Sequence, residues 1–163
     1  MIVVAVFEER YWYPDDGGQV WLAGYTPVAD DGRYLSRDAP ELAGRGLRVA
    51  GVAGAGRHHA EALAGVTPGA PLELRRDPAN AHDPNAIQVH AGGAQIGWVP
   101  AEIAAELAPQ LDAGRPWSAV ALRVQSDSPR DPPHGATMLL AAAPSVELRG
   151  YHSSHGDRRP HRR

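Results

Sequence analysis

Cysteine and lysine are both missing from this chain. Without cysteine there can be no disulfide and no thiolate metal site. Without lysine there is no P-loop lysine, no Schiff base, and no nuclease or ligase centre built on a catalytic amine. All 16 basic residues are arginine; a general replacement of Lys by Arg would give the same pattern, and the excluded chemistry is the same. No apolar run approaches the ~20 residues of a membrane span. The opening Met1-Ile2-Val3-Val4-Ala5-Val6-Phe7 has no basic lead and runs into Glu8-Glu9, so it reads as a strand and not as a secretion signal. A cytoplasmic location is the expectation that follows. A strongly basic stretch is lacking too: formal net charge is -3, with acids concentrated before residue 45 and arginines in the last six positions. Tight non-specific binding of a polyanion is not signalled by such a balance.

What remains is a chain of 163 residues, 43% hydrophobic, with 18 glycines and 15 prolines. That length suits one domain, and that much Gly and Pro favours many short elements with sharp turns. Ile2 to Phe7 and Gln19 to Ala23 read as a hairpin around Pro14-Asp15-Asp16-Gly17-Gly18. Seven of the ten aromatics fall in the first 44 residues, among them Trp12 and Trp21. They would serve as stacking platforms or pack the hairpin, and packing is the simpler reading because large aromatics are mostly buried. Leu47 to Val52 fits a strand, Arg57 to Leu63 a helical turn, Trp117 to Gln125 a strand, and Ala136 to Ala141 a last strand. Beyond Pro100, Ile103, Leu107 and Leu111 form one apolar helical stripe, and Pro109 is expected to split it into two short helices. From Tyr151 the chain has no apolar pattern and reads as a disordered tail.

The densest signal runs from Leu72 to Pro100. A strand at Leu72 leads into Asp77-Pro78-Ala79-Asn80 and Asp83-Pro84-Asn85-Ala86, two copies of one type I turn signal with Asp first and Pro second. Strands at Ile87-Gln88-Val89-His90 and Gln95-Ile96-Gly97-Trp98-Val99 then reverse around Gly92-Gly93, and Pro100 opens the helix. Arg76-Asp77-Pro78-Ala79-Asn80-Ala81-His82-Asp83-Pro84-Asn85-Ala86-Ile87, followed by Gln95-Ile96-Gly97-Trp98-Val99-Pro100, resembles the signature of the HIRAN domain family. The resemblance extends less tightly from about Leu47 to Val124.

The expected fold is mainly β with one helical segment: about six or seven short strands with no βαβ rhythm, hence a small barrel or curved sheet. The resemblance implies a modified, OB-like β-barrel. The expected organisation is an aromatic, acidic N-terminal β-hairpin extension over residues 1–46, the barrel over 47–148 and the tail over 149–163.

The resemblance further implies a non-catalytic module for single-stranded DNA ends, in which Asp83 meets the 3′-hydroxyl and the preceding residue stacks on the terminal base. Here that residue is His82, with less area than Tyr or Phe. Asp83 alone also reads as an Asx-turn former. Arg76 reads as a phosphate contact or as a salt bridge to Asp77 or Asp83, and both stay open. Trp98 is a stacking platform or a core residue. Arg57 and His58 lie on the loop where the family presents an Arg and an aromatic to nucleic acid. Asn80 and Asn85 suit turns better than base reading, and Asn85 stays in the candidate set. Where the family often has a basic residue on the first helical turn, Ala101 stands.

His58, His59, His82, Asp83 and His90 are metal-ligand types, yet no HxxxH or HExxH spacing joins them. No metal, cofactor or catalytic residue is expected. The partners implied are single-stranded DNA or its 3′ ends, with a helicase or nuclease acting in trans. A protein-interaction adaptor using the N-terminal aromatic surface is the alternative, and a metal-dependent hydrolase is a third.

Overall fold

The computed structural model describes residues 2–12, 20–126 and 131–150, with side chains from 24 to 126 and from 131 to 148. The strands are β1 (Ile2–Trp12), β2 (Val20–Pro27), β3 (Leu47–Gly51), β4 (Pro71–Arg76), β5 (Ile87–Ala91), β6 (Ala94–Trp98), β7 (Ser118–Gln125), β8 (Gly135–Ala141) and β9 (Val146–Gly150). The helices are α1 (Pro40–Gly44), α2 (Ala55–His58), α3 (Ala60–Leu63) and α4 (Ala101–Asp112). The fold is mainly β, as the sequence led one to expect. The N-terminal turn and the segment from Tyr151 lie outside the described residues.

Six strands form one antiparallel sheet in the order β3-β8-β7-β4-β5-β6. β4 carries the bend: Pro71 and Leu72 pair with β7, whereas Glu73 to Arg76 pair with β5. The sheet curls until its two outer strands meet. Ala53, just past β3, bridges Trp98 at the end of β6, with N–H to carbonyl distances of 2.8 and 2.9 Å in the two directions. That single bridge closes the OB-like barrel. It needs close backbone approach at Gly97, where a Cβ would collide with the Ala53 carbonyl and lie 2.6 Å from Val52 Cγ1. Glycine is the residue that leaves this space open.

Inside the barrel Leu63, Ile87, Val89, Ile96, Leu107, Met138 and Leu140 are fully buried. Each such side chain contributes roughly 1.5–3 kcal/mol relative to exposure. β8 is buried from Ala136 to Ala141 and apolar there except for Thr137, and such a run marks a strand covered on both faces. Its second face is indeed covered. Leu139, with Val120, Leu122, Leu47, Val49 and Leu42, forms another cluster, against which Tyr25, Leu35, Val146 and Leu148 pack. The covering layer is a three-stranded sheet, β2-β1-β9, in which β9 runs parallel to β1.

Two sequence expectations change. α4 is one helix from Ala101 to Asp112, not two pieces, with Pro109 inside it. Pro109 and Ala105, whose carbonyl loses its helical partner, are both exposed, so water can take the orphaned oxygen, and the helix resumes with Ala113 N–H on the Pro109 carbonyl at 3.1 Å. And β9 was not foreseen: Arg149 and Gly150, expected to begin the tail, are its last residues.

Candidate nucleic-acid interface

The loop between β4 and β5 is held by its own polar groups. Asn80 N–H reaches the Asp77 carbonyl at 3.1 Å and Ala86 N–H the Asp83 carbonyl at 3.1 Å. Both Asp-Pro turns therefore close as the turn chemistry requires. Asn80 Oδ1 accepts from His82 N–H at 2.9 Å and from Asp83 N–H at 3.0 Å, while its amide donates to Asp77 Oδ2 at 3.2 Å. Asn80 is thus the knot of the loop.

Asp83 forms the expected Asx-turn, its Oδ1 accepting from Asn85 N–H at 2.8 Å. Oδ2 accepts no hydrogen bond among the described residues, and the side chain is half-buried. Asn85 contributes its backbone to that turn and is likewise half-buried. His82 is exposed.

Arg76 is turned inward, and its ion-pair partner is neither Asp77 nor Asp83. Its Nε and one terminal nitrogen grip Asp112 at 2.9 and 3.1 Å, and its terminal nitrogens donate to the carbonyls of Ala86 at 2.8 Å and Pro84 at 3.0 Å. The reason lies in the neighbours: Asp77 faces Asn80 and Gln88, and Asp83 faces Asn85. The hydrogen-bonded Asp112 carboxylate raises the Arg76 pKa above its already high value, and the guanidinium lowers that of Asp112.

Gln88 connects this loop to the rest of the surface. It pairs across the strands with Trp98, its amide approaches Asp77 Oδ2 at 3.5 Å, and its Oε1 meets His90 Nε2 at 2.8 Å. Trp98 is half-buried, and a Cβ at Gly54 would stand 3.6 Å from its ring and 3.7 Å from His58. The contacts therefore run from Asp83 through Asn80, Asp77 and Gln88 to Trp98, and on past Gly54 to His58. Arg57 is exposed beside them, lining an open depression with Val52, Gly54, Ala55, Gly56 and His134. Asp83, His82 and Trp98 do not line that depression.

Sequence reasoning passed over Gln88, although its place on the outward face of a strand beside the signature was visible. It had no means of finding Asp112, 36 residues from Arg76. Trp12 and Trp21 lie on β1 and β2, with side chains outside the described residues. Among the described residues no three His, Asp or Glu side chains converge on a possible metal position.

A model of the HIRAN domain family matches residues 47–128, just over half of the chain. The chain belongs to the HIRAN domain family. HIRAN domains are DNA-binding modules, generally without catalytic activity. The matched span starts at β3 and ends just past β7, so it contains the loop, Trp98 and Arg57, whereas β8 and the β2-β1-β9 sheet lie outside it. Among solved structures the chain is similar to the HIRAN domain of human HLTF, at 26% identity and a TM-score of 0.44, over 58% of this chain and 74% of that one. It is also similar to a protein from Lactobacillus plantarum, at 21% identity and a TM-score of 0.45, over 57% and 91% of the two chains. No curated protein matches. No helix among the described residues is long and apolar enough to cross a membrane.

Proposed function

We propose that this HIRAN domain binds the 3′-hydroxyl end of single-stranded DNA, without catalysis, in the repair or processing of DNA. The observation that carries the reading is the split role of Asp83. One carboxylate oxygen is fixed by Asn85 N–H at 2.8 Å, and the other accepts no hydrogen bond among the described residues. A carboxylate so oriented can accept from a sugar hydroxyl without first reorganising. His82, exposed on the same loop, stacks on the terminal base, and Trp98 offers a second ring beyond Gln88. Arg57 and His58 meet phosphate across the Gly54 turn. Asn85 belongs to the site through its backbone. Arg76 belongs to it as a clamp on the loop and not as a phosphate contact, since four of its donors are already engaged. A helicase or nuclease supplied in trans would perform the chemistry at the end so held.

With Arg57 as the main cation of this face, binding is modest and falls shallowly with salt. The test is a titration of oligonucleotides ending in 3′-hydroxyl or 3′-phosphate against the protein and its Asp83→Ala variant. Loss of a hydrogen bond to a charged acceptor is worth about 1.5–3 kcal/mol, or roughly ten- to a hundredfold. The variant is expected to lose that factor for the hydroxyl end alone. Equal binding of both ends by the unaltered protein would sink the proposal.

A further inference from the structure

Asp112 is an odd residue to find where it stands. It is the last residue of α4, where a negative charge opposes the helix macrodipole, and its side chain is 56% exposed. The helix gains nothing from it. Its carboxylate instead takes two donors on one edge of Arg76, Nε–H and one terminal N–H, at 2.9 and 3.1 Å. Arg76 is only 16% exposed; the same terminal nitrogen also donates to the Pro84 carbonyl, and the other terminal nitrogen donates to that of Ala86. Those two carbonyls belong to the turn whose first residue is Asp83. A guanidinium is planar, so two bonds on one edge fix the directions left for the others.

Building on the end-binding reading, we infer that Asp112 is a positioning residue for end recognition. It locks the Arg76 plane, and Arg76 in turn sets the height and tilt of the Asp83 turn. Without the carboxylate, Arg76 keeps weaker bonds to two carbonyls and can swing outward. The turn loosens, and a new cation becomes available to phosphate.

Two consequences follow that a merely structural role would not produce. Asp112→Asn gives up an ion pair with an exposed carboxylate but also removes a charge from the wrong end of a helix, so thermal stability changes little. The preference for 3′-hydroxyl over 3′-phosphate ends nevertheless falls, by about three- to tenfold on the scale of one charge-assisted contact. The salt dependence of binding also steepens, as one more phosphate contact would require. Asp112→Glu, which keeps the charge, restores part of the preference.

The experiment measures the two-end preference and the salt slope for the unaltered protein, Asp112→Asn and Asp112→Glu, and follows the Arg76 Nε–H signal by NMR. A slowly exchanging Arg76 signal that is lost in Asp112→Asn, together with a reduced preference, is the expected result. An unchanged preference in Asp112→Asn overturns the inference while leaving end binding intact. An Arg76 signal exchanging as fast in the unaltered protein as that of exposed Arg57 overturns it whatever the DNA result. Absence of any end preference in the unaltered protein is a failure of the end-binding reading itself, and this inference falls with it.

Discussion

His90 is 8% exposed on the outward side of β5, covered though it faces away from the barrel interior. Its Nε2 lies 2.8 Å from Gln88 Oε1, and buried Nδ1 has no hydrogen-bond partner among the described residues. Burial first, then the positive charge of Arg75 and a contribution from His59, push this imidazole's pKa below 6.5, against a smaller pull from Glu73. The unfolded chain thus binds a proton more readily than the folded one. Its stabilising contribution is complete above pH 6.5 and drains away as pH falls from there through the depressed folded value. The slope cannot exceed about 1.4 kcal/mol per pH unit for one group. Urea midpoints at pH 7.5 and pH 5 should differ more for the unaltered protein than for His90→Leu; parallel shifts in the two would remove His90 as the cause. At this scale the sequence was legible where chemistry is local. Both Asp-Pro turns and the Asx-turn of Asp83 could be read from a few consecutive residues. The partner of Arg76 could not, because Asp112 lies 36 residues away and only the folded chain brings it to the guanidinium.

Among the elements, the meeting of β6 with the end of β3 carries the most weight for the site. The Ala53–Trp98 bridge sets the Gly54 turn beside Trp98, and so fixes where Arg57 and His58 stand relative to the loop of Asp83. Gly97→Ala would place a methyl group against the Ala53 carbonyl and Val52. Overpacking of that kind costs about 1–3 kcal/mol, and here it also parts the bridge. A lower urea midpoint is expected, together with faster exchange of the Trp98 and Ala53 amide protons. A midpoint within error of the unaltered protein would show that the outer strands are held by something else. Pro109 teaches a different lesson. The rule that proline breaks a helix assumes a carbonyl with no other partner, and on an exposed face water supplies one. The apolar stripe of Ile103, Leu107 and Leu111 outweighed the proline because its burial continues past it.

On the scale of the whole molecule, the six-stranded barrel is sandwiched: one face encloses its own core, and β3, β8 and β7 also lie under the β2-β1-β9 sheet. The pairing of β1 with β2 was legible from the strand signals at Ile2 to Phe7 and Gln19 to Ala23. The third strand of that sheet was not, because Val146-Glu147-Leu148 is short and its partner, beginning at Ile2, lies at the other extreme of the chain. Arg123 ties the layers, donating to the Tyr25 carbonyl at 3.2 Å, and Gly24 lies against Leu122 and Arg123 with no room for a side chain. A chain ending at Ala141 retains every barrel strand but lacks β9. Limited proteolysis of that truncated form should cut within the first 27 residues while sparing the region from β3 to β8. Resistance of the hairpin equal to that in the full chain would count against β9 as its anchor.

The parallel pairing of β1 with β9 has a temporal consequence. A polypeptide leaves the ribosome from its N-terminal side, so β1 must wait, one edge unsatisfied, until β9 has been translated. Closing so long a loop is slow next to making a hairpin. The six-stranded barrel, complete with β8, can therefore mature before its outer sheet, which is the piece finished last.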